Sequence, residues 1–178
     1  KGISHAIQLC EDFIGNDTKF VVYLGDNMLN GGINQYVLRF IKSKSDAIIL
    51  LCKVKDPSRF GIVTISGNRI QKLVEKPKNS RSNLAVIGVY FLDSSIFKII
   101  DNLRPSDRGE LEITDALQGY IDNGSKIEYY NVSGWWKDLG TPQDILDANT
   151  LILEKLGTKI NGVVESTSSL NGAISIGK

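Results

Sequence analysis

Apolar residues run along this chain in short blocks separated by polar turns. Phe20-Val21-Val22-Tyr23-Leu24, Ala47 to Val54 and Ala85 to Leu92 are rich in β-branched, aliphatic and aromatic residues with little polar interruption. Blocks of that length without alternation predict strands buried on both faces of a sheet. Elsewhere the apolar positions fall at helical spacing. Ile3, Ile7, Cys10 and Ile14 share one face of a predicted helix from Gly2 to Phe13, ended by Gly15-Asn16-Asp17. Ile33, Tyr36, Val37, Phe40 and Ile41 mark a second helix, and Ser94 to Leu103 a third, with Ser94 or Ser95 as its cap. Ile113, Leu117, Tyr120 and Ile121 mark a fourth, ending near Asn123-Gly124. Helices between fully apolar strands predict an α/β protein with parallel pairing between the Phe20 and Ala47 strands.

Phe60 to Val74 changes character. Phe60 to Ile65, a Ser66-Gly67-Asn68 turn and Arg69 to Val74 read as a hairpin. Pro77 cannot donate to a ladder, so pairing should stop there and leave Glu75 and Lys76 at the strand end. Lys126 to Val132 predicts a further strand. Thr141, Pro142 and Asp144 resemble a capping box opening a helix that runs through Leu156. From Ile160 onward the residues become small and polar, with Val164, Leu170 and Ile176 six apart. That is the period of a left-handed β-helix, and a flexible tail is the alternative on pattern alone.

The 178 residues, 42% of them hydrophobic, suffice for one sizeable core. Twenty-one basic and twenty acidic side chains leave a net charge of +1 without a basic block, so nothing electrostatic points to nucleic acid or an acidic membrane. Cys10 and Cys52 lie among apolar residues without metal-like spacing, which predicts reduced core thiols and a cytoplasmic setting. No signal peptide or membrane-spanning run is apparent, so the sequons at Asn16 and Asn131 read as chance. The chain starts at Lys1 inside an expected helix and stops at Gly177-Lys178 inside the six-residue pattern. Part of a longer protein is therefore expected.

Two carboxylates stand out by position. Asp26, in Gly25-Asp26-Asn27, follows a buried strand, at the edge where open α/β sheets bind ligands; there it could hold a metal ion over a phosphorylated substrate, or simply form a turn. Asp138 precedes a helix start, a place suited to a phosphate site or to an ordinary polar loop. Gly31-Gly32 lacks the spacing of a phosphate-binding loop. Glu110, Glu112 and Asp115 are read as structural, favourable beside the N-terminus of the fourth helix.

Leu24-Gly25-Asp26-Asn27, Phe60-Gly61-Ile62-Val63, Val74-Glu75-Lys76-Pro77, Ser82 to Tyr90, Gly109-Glu110-Leu111-Glu112-Ile113-Thr114-Asp115 and Trp136-Lys137-Asp138-Leu139-Gly140-Thr141 occur in that order. Together they resemble the sugar-1-phosphate nucleotidylyltransferases, especially the glucose-1-phosphate thymidylyltransferase branch of long archaeal type with a C-terminal left-handed β-helix. The resemblance implies a nucleotide-diphospho-sugar transferase fold, Rossmann-like with an incomplete mixed sheet. It divides the chain into a partial transferase domain at 1–157 and the start of β-helix repeats at 158–178. The implied reaction joins a nucleoside triphosphate, dTTP or UTP, to a sugar 1-phosphate, with glucose 1-phosphate favoured, and releases pyrophosphate. Both reactants are anionic, so positioning, magnesium and cationic groups matter more than a protein nucleophile.

By motif, Asp26 and Asp138 would hold Mg2+ and Lys76 would contact the sugar phosphate. Glu75 would accept from sugar hydroxyls, and Gly61 and Val86 would offer backbone groups. Gly2 and Ser4 match a segment beside the nucleotide base, and His5 reads as a surface or supporting residue. The family's Gly-x-Gly-Thr-Arg-Leu loop, which grips the triphosphate, is absent, so this segment alone is expected to be inactive. A non-catalytic regulatory subunit of the same fold is the competing reading; a glycosyltransferase would carry an Asp-x-Asp motif, which is missing. The intact protein is expected to be a homo-oligomer, and β-helix coils could add acyl transfer or only assembly.

Overall fold

The computed structural model describes residues 1–155, 157–172 and 174–177. The chain divides into two compact units, Lys1–Trp136 and Lys137–Lys178. The first contains α1 (Ile3–Gln8), α2 (Glu11–Ile14), β1 (Lys19–Tyr23), β2 (Asn27–Leu29), α3 (Asn34–Lys42), β3 (Ala47–Lys53), β4 (Gly61–Ser66), β5 (Arg69–Glu75) and β6 (Leu84–Asp93). It continues through α4 (Ser95–Ile100), α5 (Ile113–Asp122) and β7 (Ile127–Asn131), and β8 (Trp136–Asp138) runs across the boundary.

The sheet is mixed and has the order β5-β4-β6-β3-β7, with β1 also on β6. β3 pairs with β7 in parallel, whereas β1, β3 and β4 all pair antiparallel to β6. The apolar strands of Phe20 and Ala47 do run the same way, but β6 lies between them. Alternation along β3 and β6 explains why Ala47 to Leu51 and Ala85 to Leu92 are buried without a break. Ile49, Leu51, Val86, Tyr90 and Leu92 face one core with residues of α1, α4 and α5. Ile48, Leu50, Ile87, Val89 and Phe91 face the other, against Tyr36 and Phe40 of α3.

Four expectations need correction. β1 is half-exposed, with Val21 37% and Tyr23 44% accessible, because only Phe20 and Val22 turn to the core. A β-branched run marks a strand without fixing its place in the sheet. The first helix is two, broken at Leu9-Cys10, and the lost phase leaves Cys10 exposed; Cys52 is half-buried. On α3 the buried stripe is Tyr36 and Phe40, and Ile41 is 65% exposed. The start of α4 is served by Asp93 rather than by Ser94 or Ser95: its Oδ1 accepts from the Ser95 amide at 3.1 Å and also takes the Tyr120 hydroxyl at 2.9 Å. The β4–β5 hairpin, β6, α5 and β7 lie where the pattern places them.

Glu128 on β7 accepts from the Ser45 and Tyr130 hydroxyls and pairs with Lys126 at 2.9 Å. The Ser45 bond, followed by those from Lys126 and Tyr130, holds its carboxyl down to about 2. A depressed folded-state value contributes stability above the unfolded carboxylate range and loses it as pH falls through about 2. Ser45→Ala is therefore expected to cost about 1–2 kcal/mol at pH 7, from one charge-assisted hydrogen bond. The gap to the wild type should narrow below about pH 3 in urea unfolding as Glu128 is protonated.

In the second unit α6 (Pro142–Leu153) opens as expected. Thr141 Oγ1 accepts from the Asp144 amide at 3.2 Å and donates to Asp144 Oδ2 at 2.6 Å, and Pro142 takes a first-turn position. The predicted helix end, Leu156, lies outside the described residues. β9 (Lys159–Ile160) and β10 (Ser175–Ile176) form a parallel pair, Lys159 opposite Ser175 and Ile160 opposite Ile176. Among the described residues no helix is long and apolar enough to cross a membrane.

Candidate active site

One edge of β6 is shared by two strands lying end to end. β4 pairs there with Leu84 and Ala85, and β1 with Val89 to Asp93. Among the described residues β6 has no strand partner between them on that side, and Val86 to Gly88 form the floor of a notch. The carboxyl end of β1 enters from one flank: the Leu24 amide donates to the Gly88 carbonyl at 2.8 Å, and Gly25-Asp26-Asn27 follow. From the other flank come Phe60-Gly61 and Glu75-Lys76, since Gly61 pairs with Glu75 at the open end of the hairpin. Divergence of two strands over a continuous third leaves backbone and strand-end side chains facing one space.

Asn27 is buried in this notch. Its Oδ1 accepts from the Gly88 amide at 2.8 Å and from Trp136 Nε1 at 2.7 Å, while Nδ2 donates to Asp26 Oδ1 at 2.8 Å. A side chain on Gly88 would collide with the Asn27 carboxamide, so the position requires glycine. The Trp136 ring packs edge-on against Phe60, centroids 5.4 Å apart.

Glu75 is tied at both carboxylate oxygens. Its Oε2 accepts from Thr114 Oγ1 at 3.2 Å, and its Oε1 lies 3.4 Å from Arg108 Nη1. Arg108 also reaches Glu110 Oε2 at 3.2 Å and the buried Glu112 Oε1 at 3.5 Å. Burial first, then the charge of Glu112, raises Glu75 above the usual glutamate range, with Lys76, Thr114 and Arg108 opposing. Further along β6, opposite Val22, the Tyr90 hydroxyl is pushed far above the usual phenol range by burial and by the charges of Glu75 and Asp26.

Lys76 is exposed and holds φ at 40°, a left-handed conformation that costs a non-glycine residue roughly 1–2 kcal/mol. The bond from its amide to the Phe60 carbonyl, at 3.0 Å, helps to hold it there, and such strain clusters at functional sites. Asp26 is exposed beside the same notch. Val86 packs its side chain into the core from the floor. Gly2 and Ser4 are strapped to the segment that joins α4 to α5. The Leu111 amide donates to the Lys1 carbonyl at 3.0 Å, and Ser4 Oγ donates to the Glu112 carbonyl at 2.9 Å. Gly2 has φ 91°, and a Cβ there would meet Leu111 O at 2.5 Å. His5 is half-buried. Asp138 belongs to the second unit, where its Oδ1 accepts from the Gly140 amide at 2.8 Å.

A family model for nucleotidyl transferase matches residues 1–155. The chain belongs to the nucleotidyl transferase family. It is 43% identical over 98% of its length to the low-salt glycan biosynthesis nucleotidyltransferase Agl11 of Haloferax volcanii, of which it covers 49%. It is 40% identical over 99% of its length to a glucose-1-phosphate thymidylyltransferase of Streptomyces antibioticus, covering 50% of that protein. A crystal structure described as a glucose-1-phosphate thymidylyltransferase of Bacillus anthracis in complex with a sucrose superposes with a TM-score of 0.76 at 47% identity, over 84% of this chain and 60% of that one. The chain spans about half the length of the curated relatives it matches.

The structure brings together at one notch Asp26, Gly61, Glu75, Lys76 and Val86, five of the residues that the motifs singled out. Beside them stand four residues to which the motifs gave no role: Asn27, Arg108, Thr114 and Trp136. Two signals were available. Arg108 is the only basic residue between Asp107 and Asp122, set among acids, and Asn27 ends the Gly25-Asp26-Asn27 turn with a side chain that suits backbone donors. A cavity of about 760 Å³, lined by Arg69, Ile121, Lys126 and Tyr129 among others, includes none of the candidate residues.

Proposed function

We propose that the intact protein transfers a nucleotidyl group from dTTP or UTP to a sugar 1-phosphate, with glucose 1-phosphate as the favoured acceptor. A phosphate oxygen of the sugar phosphate attacks the α-phosphorus in line, the bond to the β-phosphate oxygen breaks, and pyrophosphate leaves. The observation that carries this reading is the Glu75 constellation. An acceptor-only carboxylate is held in one orientation by Thr114 and Arg108, opposite Gly61 and next to the Lys76 ammonium. Each carboxylate oxygen keeps a lone pair for a sugar hydroxyl. Lys76, with three donors and a mobile stem, suits the phosphate on the anomeric oxygen. Gly2 and Ser4 are assigned to the nucleotide side.

Mg2+ is the proposed cofactor, and Asp26 in the first unit and Asp138 in the second are each proposed as ligands. The donor chemistry of Asp26 fits. Its carboxylate is exposed, among the described residues only Oδ1 is bonded to a protein donor, and Mg2+ is usually bound through one or two carboxylates plus substrate phosphates and water. When bound, the ion would neutralise charge on the phosphates. The chain's own residues fix where those phosphates and the sugar sit.

The deciding experiment incubates the intact protein with Mg2+, each of the common nucleoside triphosphates and a panel of sugar 1-phosphates, and follows pyrophosphate. Sustained release with dTTP or UTP and glucose 1-phosphate supports the reading. Release with no pair, or only with an N-acetylated amino sugar, rejects the proposed acceptor.

A further inference from the structure

Asn27 has features that an ordinary turn residue does not need. It is buried, and both ends of its carboxamide are engaged. The two N–H donors on Oδ1, from Gly88 and Trp136, fix which end is oxygen, so Nδ2 must face Asp26. The carboxamide also occupies the space where a Gly88 side chain would stand, so glycine there is what lets the amide lie directly against β6. The backbone of the same turn is tied as well: the Asn27 carbonyl accepts from the Tyr23 hydroxyl at 3.0 Å, and its amide donates to the Leu24 carbonyl at 3.1 Å.

The third bond is informative because the acceptor is exposed. Water would satisfy the Asp26 carboxylate without help, so an amide buried behind it is not needed for solvation. What the bond supplies is direction. It holds Oδ1 against the protein, and among the described residues no hydrogen bond to Oδ2 is seen on this exposed side chain. We infer that Asn27 is the positioning residue of the notch, its carboxamide setting the orientation in which Asp26 presents Oδ2 to a divalent cation and registering that orientation to β6 and the Trp136 ring. This rests on the proposed role of Asp26 as a metal ligand. Partners in that position commonly change metal affinity by 10–100-fold when removed.

The test is a Mn2+ titration of the intact protein followed by electron paramagnetic resonance, with a thermal melt of every variant. Asn27→Ala is expected to weaken Mn2+ binding by about 10–100-fold. Asp26→Ala should weaken it further. Trp136→Phe removes a single donor to Oδ1 and leaves Asp26 and Asn27 in place, so it decides the matter if Asn27→Ala does not fold; a smaller but measurable loss of Mn2+ affinity is expected. A lower melting temperature with wild-type Mn2+ affinity in Asn27→Ala would make Asn27 a packing residue and overturn the inference, while leaving Asp26 as a ligand. Wild-type Mn2+ affinity in Asp26→Ala would overturn both.

Discussion

Asp26→Ala is expected to lower nucleotidyl transfer by the intact protein by about 1,000-fold or more while leaving its melting temperature nearly unchanged. Removing one preorganised electrostatic contact at a reacting centre typically costs about 100–1,000-fold, and losing a metal ligand disturbs both substrates. The side chain is exposed and makes one hydrogen bond, to Asn27 Nδ2. Surface substitutions of that kind usually alter stability by about 0.5 kcal/mol or less. The decisive feature is the split between activity and melting: a fall in both would mean that the turn had unfolded. Steady-state kinetics over a range of Mg2+ concentrations, alongside calorimetric melting, separates the two.

Gly61→Ala is expected to lower stability and sugar 1-phosphate affinity together. Its Cβ would collide with Thr114 Cγ2 and stand 3.2 Å from Glu75 Oε2. Overpacking of this type costs roughly 1–3 kcal/mol, and the bond between Thr114 and Glu75 is the feature that would have to give. The colliding atom is the threonine methyl, which serine lacks while keeping the hydroxyl. Thr114→Ser in the same chain is therefore expected to restore most of the lost stability. Affinity for a sugar 1-phosphate should stay low in the double variant, because the new methyl still lies against Glu75. Urea unfolding and calorimetric binding on wild type, both single variants and the double variant close this cycle. Additive effects on stability would contradict the proposed collision.

Much of this was legible in the sequence, and the reasons differ by element. Apolar blocks gave β3 and β6 because both faces of these strands are covered, so no alternation was needed. The hairpin was legible because Gly67 takes a positive φ at its turn and Pro77 ends its pairing. Sheet direction was not legible, since periodicity says that a strand is buried and nothing of which strand lies beside it. The exposure of Val21 and Tyr23 in β1 escaped for the same reason. At the notch, residues next to one another in a motif were readily found. Thr114 and Arg108 reach Glu75 from a different segment, and Trp136 reaches Asn27 across most of the unit. Contacts of that kind exist only after the sheet has formed.

The measurement closest to the central claim is calorimetric titration of glucose 1-phosphate into the intact protein and its Glu75→Gln variant. Glutamine keeps the size and one acceptor but loses the charge that Thr114 and Arg108 orient. A charge-assisted hydrogen bond contributes about 1.5–3 kcal/mol, so affinity should fall by roughly 10–100-fold with the melting temperature little changed. Equal affinity in the two proteins would place the sugar somewhere other than this notch and contradict the account.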